Sequence, residues 1–80
     1  MTIARDELIR ILAEADPVGL VGNGAPKDEY AAEADAILGL QGVPTLTEIT
    51  GVFAVSFSDP GACPRETARW IAHEMERRAG

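Results

Sequence analysis

The chain holds a single cysteine, Cys63, which excludes an internal disulfide and removes any requirement for an oxidising compartment. Aromatic residues are scarce at 5%, against a hydrophobic fraction of 46%, so Ile, Leu, Val and Ala must supply most of the core. No apolar run approaches the ~20 residues that a membrane-spanning helix needs. The opening segment, Met1 to Glu7, carries acids before any long apolar stretch and does not read as a signal peptide. Together these absences predict a cytoplasmic protein with no membrane partner. Bases are also few, 7 against 13 acids, for a net charge of −6. That balance argues against nucleic acid, because phosphate binding draws its affinity from Lys and Arg. It suits a basic protein partner, or solubility alone.

Eighty residues suffice for one domain, spanning 1–80, and a charged fraction of 25% is ordinary for a globular chain. From Thr2 to about Ala15, the apolar residues Ala4, Leu8, Ile11, Leu12 and Ala15 recur at helical spacing, with Thr2 as a plausible N-cap. Asp16-Pro17 ends this helix, and a glycine-rich loop follows from Gly19 to Pro26. Pro26 suits the first position of a second helix, with Tyr30, Ala34, Ile37 and Leu38 as its apolar stripe and Glu33 and Asp35 off it. Gly39 and Gly42 close that helix. Thr45 and Glu48 form a capping box, which predicts a third helix over about residues 45–58. The composition of Ile49 to Phe57 pulls toward a strand, and its alternation is respectable; the spacing of Leu46, Ile49, Phe53 and Phe57, and the lack of a partner strand, favour the helix. Pro64 opens a last helix that runs to about Arg78, with Ile71 and Met75 inward and Trp70 at the edge of the stripe. The expected architecture is an all-α, small four-helix bundle, with Leu8, Ile11, Leu12, Ile37, Ile49, Phe53, Phe57 and Ile71 in its core.

Catalytic chemistry finds little support. The run Gly19 to Gly24 lacks the Lys-Ser or Lys-Thr of a phosphate loop and has no strand before it. Cys63 precedes a helix start, where the helix dipole favours a thiolate, but His73, the only histidine, lies roughly 10–15 Å farther along the same helix. One Cys, one His and scattered carboxylates offer no zinc spacing, and Asp28, Glu29, Glu33 and Asp35 lack the loop of a calcium site. No enzyme activity, metal or cofactor is therefore expected. Tyr30, the sole tyrosine, either packs on the first helix with its hydroxyl on a carboxylate or backbone group, or forms the rim of an interaction patch.

The segment Asp16-Pro17-Val18-Gly19-Leu20, followed by Ala25-Pro26-Lys27-Asp28-Glu29-Tyr30, resembles the YugE-like family of small helical bacterial proteins of unknown function. Its members typically read tryptophan-aspartate-proline-isoleucine-glycine and then proline-x-aspartate-glutamate-tyrosine-aspartate. Here Ala15 replaces the tryptophan and Ala31 the second aspartate, so whatever those two residues do in the family does not carry over. The resemblance implies a small helical bundle, with relatives that serve as immunity-like partners of bacterial toxins. Charge and resemblance together predict a small acidic protein-binding module, immunity- or antitoxin-like toward a basic partner, with Asp16, Asp28, Glu29, Tyr30 and Glu33 as its interaction patch. The alternative is a structural or self-associating helical module using Phe53/Phe57 or Trp70.

Overall fold

The computed structural model describes residues 3–79. Four helices follow in order: α1 (Arg5–Ala15), α2 (Ala31–Leu38), α3 (Leu46–Phe57) and α4 (Arg65–Arg78). Each buries one stripe at helical spacing: Leu8, Ile11 and Leu12 on α1, Ile49 and Phe53 on α3, Ala68, Ile71 and Met75 on α4. Full burial of each large side chain contributes about 1.5–3 kcal/mol. The helices form a ring in which α1 touches α2 and α4, and α3 touches α2 and α4, while the diagonal pairs do not approach at the backbone. This is the expected all-α four-helix bundle. Its radius of gyration, 11.3 Å, is close to the ~11.6 Å of a folded chain of this length.

Helix α3 settles the contest between capping and composition. The Thr45 hydroxyl accepts from the Glu48 backbone N–H at 3.1 Å, and the Glu48 carboxylate accepts from the Thr45 N–H at 2.8 Å. Two donors that the first turn would otherwise orphan are thereby satisfied, and no strand occurs among the described residues. Phe57 is half-buried rather than fully enclosed; it stacks on Phe53 at 6.3 Å and meets the edge of Tyr30 at 6.4 Å.

The helix starts differ from the sequence reading. Thr2 lies outside the described residues, and Ala4 occupies the N-cap of α1. Pro26 does not open α2; residues 27–30 form successive turns, with the Glu29 N–H on Pro26 O and the Ala31 N–H on Asp28 O, and the helix begins at Ala31. The tertiary anchoring of Tyr30 holds that segment in turns. Pro64 is the N-cap of α4 rather than its first residue. The inward stripe of α2 also sits one position round from expectation, on Tyr30, Glu33, Ala34 and Ile37, leaving Leu38 exposed.

Candidate functional site

The chain leaves α1 through Asp16, whose φ of 45° and ψ of 58° put it in the left-handed region that aspartate tolerates better than most residues. From there its carboxylate reaches over the following loop. Oδ1 accepts from the Val21 N–H at 3.0 Å and Oδ2 from the Gly22 N–H at 2.9 Å. The Tyr30 hydroxyl donates to the same Oδ1 at 2.6 Å, and itself accepts from the backbone N–H groups of Val18 and Leu20 at 3.3 and 3.4 Å. The Tyr30 ring is fully buried against Phe53, with centroids 5.9 Å apart. A single side chain therefore plugs the core and ties down the loop from inside. The hydroxyl's hydrogen bond, reinforced by the loop N–H groups, holds the Asp16 carboxyl below the usual carboxylate range. Burial, and then that bond to Asp16, pushes the Tyr30 phenol above its ordinary value.

The five residues of the expected patch thus divide. Asp16 and Tyr30 come together, and their hydrogen bonds are spent on the loop. Asp28 and Glu29 are exposed. Glu33, read as lying off the apolar stripe, is only 6% exposed, because it occupies the i+3 position of the stripe that begins at Tyr30. Nor is the acidity of this region unopposed. Arg5 donates to both oxygens of Asp35, at 2.6 and 3.2 Å, and Asp28 borders a shallow concavity that also contains Arg5, Asp6 and Arg10. Carboxylates and guanidinium groups interleave there.

Two other surfaces stand out, and neither was in the expected patch. Between α2 and α3 lies an open groove of about 460 Å³, lined by Ala36, Leu40, Gly51, Val52 and Val55, with Glu48 its only charged residue. Val55 is 83% exposed, the most uncovered large apolar side chain of the described residues. A Cβ added to Gly51 would meet nothing within 4 Å, so the groove floor is open. The signal was present in the sequence: apart from Glu48, α3 carries no charge, which leaves it no charged face to turn outward. The second surface is a notch at the α1–α4 seam, where Trp70 is 39% exposed.

Cys63 has the opposite character to that of a helix-start nucleophile. It is 2% exposed, and burial pushes its thiol up to about 11, so it is a neutral, enclosed thiol at neutral pH. His73 is exposed on α4. Among the described residues no three His, Cys, Asp or Glu side chains gather to hold a metal ion, and no helix is long and apolar enough to cross a membrane. No family model, curated protein or solved structure matches the chain, so the YugE-like resemblance rests on the residues that carry it.

Proposed function

We propose that this chain is a small protein-binding module that receives its partner in the α2–α3 groove. The observation that carries the reading is Val55, 83% exposed beside an apolar trough, against 63% for Val43 and 39% for Leu38, the other large aliphatic side chains left uncovered. A groove between two helices accepts the apolar face of a third helix. The net charge of −6 and the presence of Glu48 without a base in the lining favour a partner helix with a cationic flank. An immunity- or antitoxin-like role toward a basic partner is the particular form supported by the charge and by the resemblance at residues 15–31. The reading is non-enzymatic, with Cys63 enclosed and the Asp16–Tyr30 pair committed to the loop.

The test is an amide chemical-shift titration with a Lys-rich amphipathic helical peptide and with its Glu-for-Lys counterpart. The cationic peptide should shift Ala36, Gly51, Val52 and Val55, the acidic one should not, and Val55→Lys should abolish the response. Shifts scattered over the surface, or unchanged in Val55→Lys, would count against the proposal.

One observation favours a self-associating module instead. Two copies each carrying −6 can meet at α3 without opposing rows of carboxylates, since Glu48 is its only charge. Phe53 is buried and not presented for such a contact, so Val55 would be its centre. A mass that rises with concentration in sedimentation equilibrium, and returns to monomer in Val55→Lys, distinguishes this reading.

A further inference from the structure

The notch at the α1–α4 seam, on the side of the ring away from the α2–α3 groove, measures about 310 Å³ and is lined by Glu14, Ala15, Glu66, Thr67 and Trp70. Three of its features favour positive charge. Glu14 and Glu66 bring carboxylates from two different helices. Ala15 is the last residue of α1, whose final turn contains no base to offset the negative end of its dipole. Trp70, the only tryptophan, contributes an indole, the aromatic surface that cations prefer. None of the chain's own bases lines the notch. Arg65 and Arg69 point roughly 140° and 100° round α4 from Trp70. Arg78 bonds one oxygen of Glu14 at 2.8 Å but does not line the notch, and among the described residues Glu66 enters no ion pair.

We propose that this notch anchors a cationic side chain, the arginine or lysine of a partner protein, against the indole of Trp70 and between the carboxylates of Glu14 and Glu66. The site stands apart from the apolar groove and assigns the chain's acidity a place that the mixed charges around Asp28 do not give it. A partner's basic residue would enter here as a single anchoring contact, with on-rate aided by the net negative charge.

Because Trp70 is the sole tryptophan, its emission reports on the notch directly. A capped alanine-arginine-alanine peptide, titrated at low salt, should change that emission with half-saturation at about millimolar concentration. The same peptide with citrulline, whose neutral urea replaces the guanidinium, should leave it unchanged. Glu66→Gln should weaken the response at least about threefold, and amide shifts should centre on Ala15, Thr67 and the Trp70 indole N–H. An equal response to citrulline, a Glu66→Gln titration that overlays the wild type, or shifts centred on Asp28 and Glu29 would overturn the assignment. Val55→Lys should not affect this titration, so failure here and failure of the groove are separate results.

Discussion

Tyr30 shows how much one side chain can hold together. Its ring contributes to the core while its oxygen makes three hydrogen bonds to the loop that connects α1 and α2, one of them to the Asp16 carboxylate. Tyr30→Phe keeps the ring and removes the oxygen, leaving the Val18 and Leu20 N–H groups and one Asp16 lone pair without this partner. Urea denaturation should show a loss of about 2 kcal/mol, the scale of a hydrogen bond to a charged group, with faster amide exchange at Val18 and Leu20. The phenol's raised ionisation carries the corresponding pH dependence: its contribution is present below the ordinary value of 10 and is lost as pH rises through the folded one. The dual character of Tyr30 was readable, since a lone tyrosine after a helix-ending Asp-Pro needs a home for both ring and hydroxyl. That Asp16 would be the acceptor was not, because the left-handed turn that aims it depends on the whole loop.

At the scale of the element, α3 joins a strong start to a weak middle. Its capping box satisfies two donors at the helix start, whereas Gly51 sits in the helix interior with open space where a side chain would be. Gly51→Ala should stabilise the protein by about 0.5–1 kcal/mol in thermal melts, because it lowers the entropy of the unfolded chain and meets no obstacle. The helical state of α3 was legible from Thr45 and Glu48 because capping is local chemistry between neighbours. The start of α2 was not legible. Pro26, Asp28 and Glu29 satisfy a helix N-terminus and a series of turns equally well, and the choice between them is made by Tyr30 reaching into a distant core. The same anchoring rotates the α2 stripe onto Glu33, a residue whose type gave no sign of burial.

Across the whole molecule, charge is distributed in a way that the net value conceals. Arg78 bonds Glu14 and Glu74 and approaches Glu7 at 3.9 Å, while Arg77 closes on Glu74 from the same helix. Hydrogen bonds from Arg77, and then from Arg78, hold the Glu74 carboxyl well below its ordinary 4.5, at about 2. A depressed carboxylate contributes stability above its unfolded value and loses it as pH falls toward the folded one. Melting temperature should therefore decline between pH 4.5 and about 2 as Glu74 takes up its proton. In Glu74→Gln, already less stable at neutral pH, that decline should be shallower. Composition revealed the surplus of acid but not its placement: Asp35 is bonded by Arg5 and Asp28 shares a concavity with Arg5 and Arg10, whereas Trp70, read only as the edge of the α4 stripe or a self-association surface, shares a notch with Glu66.

The Arg78–Glu14 bond joins residues 64 positions apart, and it stitches the last helix to the first. In time, such a contact belongs late. The turns around Tyr30 and the α2–α3 hairpin close short loops and can form early, while the α1–α4 seam must wait until nearly the whole chain has been gathered. Stabilising this seam should act mainly on how long the folded protein survives, with little effect on how fast it forms.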